Sequence, residues 1–189
     1  FAPGVVVVQT TAQLRGALEA PGAAFLDLFL PAVFRFDLGG AALLVPAGVN
    51  ATLRSEGGGA TLDAQWRSRI FEVHGALTLG NLHLTGGLAP AGSTVAGLSG
   101  GGAIAVASGG RLSMLDSAVS SSTTAGNATD YSDLAELARI AQSTGEHGGG
   151  LAIAANASAV LIRSTFSNVS APVGGAISTA GRLTVHQGA

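Results

Sequence analysis

The tetrapeptide GGAI occupies residues 101–104 and returns at residues 174–177, with a close variant, GGGLAI, between them at 148–153. Each copy precedes a short apolar run and then a polar, Gly- or Ala-rich break. A chain that stacks on itself brings equivalent positions against equivalent positions. Paired glycines then mark a corner where the backbone turns tightly, with a φ that only glycine adopts freely. Small Ala beside Ile lets neighbouring passes of the chain approach.

Four stretches share one plan around these phrases: IFEVHGALTLGNLHLTGG (70–87), AIAVASGGRLSMLDSAVSSS (103–122), LAIAANASAVLIRSTFSNVS (151–170) and AISTAGRLTVHQGA (176–189). Each reads as a short strand, a small turn, a second strand, a polar corner and a third apolar pair. Further alternating runs precede them, among them FLDLFL (25–30), VFRFDL (33–38), ALLV (42–45), ATLRS (51–55) and ATLDA (60–64). Period-2 alternation bounded by Gly, Asn and Ser is the mark of strands. The step from Gly150 to Gly175 is 25 residues, and that from Gly102 to Gly150 is 48, which reads as two such steps. A fixed period of about 20 to 30 residues with several short strands predicts a solenoid.

The front of the chain differs. VVVV (5–8) is a continuous β-branched run, and TTAQLRGALEA (10–20) follows it. Thr10 or Thr11 supplies an N-cap, Leu14 and Leu18 share one face at i, i+4, and Pro21-Gly22 stops the helix. Such a helix suits an end cap. Two stretches interrupt the period. LAPAGSTVAGLSG (88–100) reads as a loop, and residues 123–147 hold a second helix, capped by Ser132 and carrying Leu134, Leu137 and Ile140 on one face. The expected fold is all-β: a right-handed parallel β-helix with an N-terminal helical cap and one helical insertion. It forms a single domain over 1–189, with strand and cap helix at 1–24, coils at 25–189 and the insertion at 123–147.

Composition narrows the function. The chain is 47% hydrophobic and only 11% charged, where an ordinary domain carries about 25% charged residues. All nine basic residues are arginine and the formal net charge is −2, with no basic cluster of the kind that neutralises phosphates. No apolar run reaches the roughly 20 residues of a membrane span; the best, AAFLDLFLPAVF (23–34), holds Asp27 and Pro31. Cysteine is absent, which removes disulfides and thiolate metal sites. Four Asn-X-Ser/Thr sequons, at Asn50, Asn127, Asn156 and Asn168, point to the secretory pathway.

The chain resembles the right-handed parallel β-helix proteins of pectin-lyase-like architecture. Its GGAI phrases, with FSN at 166–168, are similar to the repeats of chlamydial polymorphic outer-membrane proteins, which pair Gly-Gly-Ala-Ile with Phe-x-x-Asn. FSN is one residue short of that second spacing. The stretch NATLRSEGGGATLDA (50–64) resembles the opening of large secreted β-helix proteins of green algae.

Enzymes share that architecture, and their chemistry has recognisable residues. Glycoside hydrolysis needs two carboxylates at a set separation. The hydrolase motifs Asn-Thr-Asp, Asp-Asp, Gly-His-Gly and Arg-Ile-Lys are absent, as is the acidic cluster that lyases of this architecture use for Ca²⁺. Scattered candidates remain at Asp63, Glu72, Arg67 and Arg69. DAQWRSR (63–69) offers Trp66 as a sugar-stacking platform between Arg67 and Arg69; the alternative is an edge loop with a partly buried Trp and solvated charges. His74, His83, His147 and His186 lie far apart in sequence, and no metal set or phosphate loop is apparent. No cofactor is expected.

The expected function is non-catalytic: a secreted, glycosylated structural or adhesive module of a cell wall, matrix or flagellar filament. Further coils or another subunit are expected to cover the C-terminal end, and polysaccharide is a possible partner. The alternative is a carbohydrate-binding or polysaccharide-degrading protein working near Trp66.

Overall fold

The computed structural model describes residues 4–20, 22, 24–89, 94–95, 98–124, 148–171 and 175–187. A two-residue strand β1 (Val6–Val7) leads into helix α1 (Thr11–Leu18). The chain then passes through three strands at a time. The first set is β2 (Phe25–Phe29), β3 (Arg35–Asp37) and β4 (Leu43–Val45), and the second is β5 (Asn50–Arg54), β6 (Ala60–Asp63) and β7 (Phe71–Val73). Next come β8 (Ala76–Gly80), β9 (Leu82–Thr85), β10 (Leu88–Ala89), β11 (Thr94–Val95), β12 (Leu98–Ser99) and β13 (Ile104–Val106). The remainder is β14 (Arg111–Leu115), β15 (Ala118–Thr124) and β16 (Leu151–Ile153), then β17 (Ser158–Ile162), β18 (Thr165–Ser170), β19 (Ile177–Thr179) and β20 (Arg182–His186).

Three parallel sheets result. The first runs β1-β2-β5-β8-β14-β17-β20, the second β3-β6-β9-β15 with β10 and β18 also on β15, and the third β4-β7-β13-β16-β19. Among the described residues only β11 and β12 pair antiparallel, within the segment read as a plain loop. Inward side chains stand in register down each sheet. In the first sheet Leu28, Leu53, Leu79, Met114, Leu161 and Val185 form one column. In the second, Phe36, Leu62, Leu84, Val119 and Phe166 do the same. Both columns, Val185 excepted, and the third sheet's Phe71, Ile104 and Leu151 feed one continuous core. The core loosens toward β20, where Phe166, Ile177 and Leu183 are only half-buried and Val185 is 59% exposed.

The expectation of a right-handed parallel β-helix solenoid of fixed period is corrected by this register. Along the first sheet Phe25, Asn50, Ala76, Arg111, Ser158 and Arg182 are successive neighbours, so the steps are 25, 26, 35, 47 and 24 residues. Across the 48-residue interval no strand of the third sheet intervenes, because Ile104 pairs directly with Leu151. The molecule is a stack of three parallel sheets with unequal connections, and the reading as a regular repeat falls with the solenoid. The expected helical insertion is outside the described residues, apart from Thr123 and Thr124, which continue β15.

Helix α1 forms as its residues dictate. Thr10 is the N-cap and its side chain accepts from the Gln13 amide, while Leu14 and Leu18 are fully buried. Arg15 ties the helix down by donating to the carbonyls of Ala42 at 2.6 Å and Ala41 at 2.8 Å. Thr11 Oγ1 donates to the Asp37 carbonyl at 2.8 Å. Asp37 ends β3, and Ala41 and Ala42 lie between β3 and β4, so α1 lies over the first strands of the stack.

The returning glycines serve close approach. A Cβ on Gly102 would run into the carbonyl oxygens of Gly149 and Thr123, and one on Gly149 into the Ser170 carbonyl. Gly101 and Gly148 both take left-handed φ, +69° and +68°. The motif recurs because neighbouring rungs meet backbone to backbone at this bend.

Candidate functional site

The segment 63–69 forms the bend from the second sheet to the third. Asp63 is buried; Arg35 donates to its Oδ2, and its Oδ1 accepts from the Gln65 amide at 2.8 Å. Gln65 and Trp66 both adopt left-handed backbone, φ 54° and 58°, and the Trp66 amide donates to the Gly86 carbonyl at 2.6 Å. This bend thrusts the indole outward, and Trp66 is 50% exposed.

Its expected arginine partners do not flank it together. Arg67 is exposed, with its chain over Gly40. Arg69 is 3% exposed and turned inward: Nε donates to the Gly100 carbonyl at 3.0 Å and Nη1 lies 3.5 Å from Glu72 Oε1. Burial pulls the Arg69 pKa below its ordinary value, against the opposing charge of Glu72. Arg69 therefore anchors the end of the 88–100 segment. Asp63 and Glu72 are each engaged by a different arginine, which accounts for these carboxylates as structural partners.

Histidines are dispersed. His83 Nε2 lies 3.1 Å from the Gly58 carbonyl on the outer face of the second sheet, His74 sits at a turn between the third and first sheets, and His186 ends β20. His147 lies outside the described residues. Among the described residues no three His, Cys, Asp or Glu side chains gather as a metal site.

The sequence reading missed a groove. Connections from the third sheet to the first have four residues at 46–49, 107–110 and 154–157 and two at 74–75 and 180–181; the one at 74–75 lies between those at 46–49 and 107–110. The short middle connection leaves a notch between its longer neighbours. Gly75 is obligatory there, because a Cβ would strike the carbonyl oxygens of Pro46 and Val49. Two clefts, of about 320 and 310 Å³, share Ala24, Gly48 and Val49 and so form one groove. Glu19 stands at one end; Phe25, Asn50, His74 and Arg111 line the other. The short connection was the available signal: HG at 74–75 against PAGV and ASGG at the equivalent places.

Three sequon asparagines fall among the described residues and all are exposed. Asn50 opens β5, Asn156 lies in a turn with φ 62°, and Asn168 makes a left-handed kink in β18 with φ 51°. Asn127 lies outside the described residues. No family model, curated protein or solved structure matches this chain.

Proposed function

We propose that the chain is a non-catalytic, secreted, glycosylated structural or adhesive module of an extracellular assembly. The observation carrying this reading is that Asn50, Asn156 and Asn168 are all exposed, two of them in or beside connections from the third sheet to the first and one in β18. A glycan is a bulky, hydrated group that a packed interior rejects. Four ion pairs support the same reading, since each commits a carboxylate to architecture. Arg54 holds Asp27, Arg35 holds Asp63, Arg69 holds Glu72 and Arg163 holds Asp116. An acid–base pair for hydrolysis would need free carboxylates facing a common cleft. The outer edge of β20, lined by exposed Val185, offers backbone groups to another subunit.

Peptide mapping of protein from its native source, before and after an N-glycosidase, tests the reading. Asn-to-Asp conversion at two or more of the three sites is expected. Unmodified asparagine at all of them would remove the secretory argument.

A second reading is favoured by Trp66: the half-exposed indole, with Arg67 exposed next to it, would contact polysaccharide. Trp66 is the single tryptophan of the chain, so its fluorescence reports that corner alone. Saturable quenching or a blue shift on titration with an oligosaccharide would support the contact, and an unchanged spectrum at saturating sugar would exclude it for that sugar.

A further inference from the structure

We infer that the glycan on Asn50 folds back into the groove beside it, its first sugar packed on Phe25 and hydrogen-bonded by Arg111 and His74. This rests on the glycosylated reading above. In the first sheet Asn50 is the direct neighbour of Phe25 on one side and Ala76 on the other. Adjacent strands lie about 4.8 Å apart, so a sugar on Asn50 begins within one strand spacing of the phenyl ring. Phe25 is 65% exposed, an unusual state for an aromatic side chain in a regular strand. The apolar face of a pyranose covers such a ring, as other flat apolar groups do.

The remaining walls are chosen for the same guest. Ala76 is small and keeps the floor low, and Gly75 behind it adds no side chain. Arg111 is the next neighbour after Ala76 in the same outward column, and among the described residues it forms no ion pair. Its guanidinium and the His74 imidazole offer donors to sugar hydroxyls and to the acetamide carbonyl of an N-acetylhexosamine. Thr52, the third sequon residue, faces the same side of β5 as Asn50. The other described sequons lack this setting. Asn156 lies in a turn outside any strand, and Asn168 falls between Ser167 and Val169, whose partners across the sheet are Ser120 and Ser122, not aromatic residues.

The modification joins Asn50 Nδ2 to the anomeric carbon of the reducing-end sugar. The amide loses one proton, and the polyprenyl pyrophosphate of the donor oligosaccharide leaves with the bonding electrons. The groove would then be closed to free ligands by the protein's own sugar.

The test uses the glycoprotein secreted from a eukaryotic host, treated with N-glycosidase without denaturation, with release followed site by site by mass. Release from Asn50 is expected to be about tenfold slower than from Asn156 and Asn168, a difference equivalent to about 1.4 kcal/mol. Phe25→Ala should bring Asn50 to the rate of Asn156, while Phe25→Trp should keep it slow. Phe25 is exposed, and an unchanged melting temperature checks that the variant is folded. Equal rates in the unmutated protein, or a slow rate that survives Phe25→Ala, would overturn the inference. Asn50 found bare while Asn156 and Asn168 carry glycan would overturn it and leave the proposed function standing. All three bare would remove both.

Discussion

Arg163 lies against Asp116 across 47 residues of sequence, with Nε donating to Oδ1 at 2.6 Å and Nη2 to Oδ2 at 2.7 Å. Both residues are in left-handed backbone, φ 46° and 49°, and Asn81 on the preceding rung has φ 54°. The three make the bend from the first sheet to the second, each amide donating to the rung that follows: Asn81 to Leu115, Asp116 to Ile162 and Arg163 to His186. Asn and Asp tolerate this conformation, whereas a long side chain such as Arg does so at a cost. The bidentate pair offsets that cost.

The pair should make stability depend on pH in the acid range. The Arg163 hydrogen bond holds the Asp116 pKa below its ordinary value. The pair therefore contributes fully above the pKa of the unfolded carboxyl, and the contribution is lost as pH falls through the lower, folded value. Urea melts of the protein and of Asp116→Asn should differ at neutral pH and converge on acidification below the ordinary carboxylate range. A difference constant with pH would assign the effect to backbone conformation.

Two glycines should respond to alanine in opposite directions. Gly16 sits in α1, exposed, with open space where a Cβ would be built. Gly16→Ala should stabilise by about 0.5–1 kcal/mol. Gly75→Ala drives a methyl into two carbonyl oxygens held by backbone pairing, and should destabilise by about 3 kcal/mol or more. Thermal melts of the two variants check both signs.

Packing should weaken along the first sheet. Leu79 is fully buried between Leu53 and Met114, so Leu79→Ala should cost about 3–5 kcal/mol. Val185 occupies the same column but is 59% exposed, and Val185→Ala should cost under about 1 kcal/mol. Chemical denaturation reads both; equal losses would show that something covers β20 in solution.

Arg69→Met keeps the bulk and removes the donors. The Gly100 carbonyl loses its partner and Glu72 its counter-charge, so a loss of about 2–3 kcal/mol is expected. Amide exchange should rise first in β12 and β13, which flank Gly100. Uniform acceleration across the stack would mean that Arg69 supports the core rather than the segment.

The strands were legible because their alternation is clean. RLSML at 111–115 puts Leu112 and Met114 inward, as the pattern requires. The bends were legible only as polar places. RLSMLDSAV reads as one run, yet the chain turns at Asp116, and AVLIRSTFSNV turns at Arg163. No glycine marks either turn, so the signal that exposed GGAI was missing. The interval from Gly102 to Gly150 misled because a length near twice 25 is here a single long step between directly paired strands. At the candidate site the edge position of Trp66 was legible, but whether its indole is partly buried or stands outward was not, and its 50% exposure comes from the left-handed backbone at Gln65 and Trp66. The inward turn of Arg69 was not legible either, because its partner carbonyl at Gly100 is 31 residues away. The groove escaped notice since it is made by a connection that is short, and local chemistry does not advertise a missing pair of residues.

The unequal steps carry a lesson for redesign. A 24-residue step and a 47-residue step deliver their strands into the same ladder with the same pairing. The molecule thus counts hydrogen bonds, not residues, and closing a longer excursion adds an entropy that grows only with the logarithm of its length. The step of 47 residues from Arg111 to Ser158 is therefore the one whose closure changes least when peptide is added to it. Peptide added at 74–75 would fill the notch. Payload capacity is a property of particular bends, and the chain has already marked which ones accept cargo.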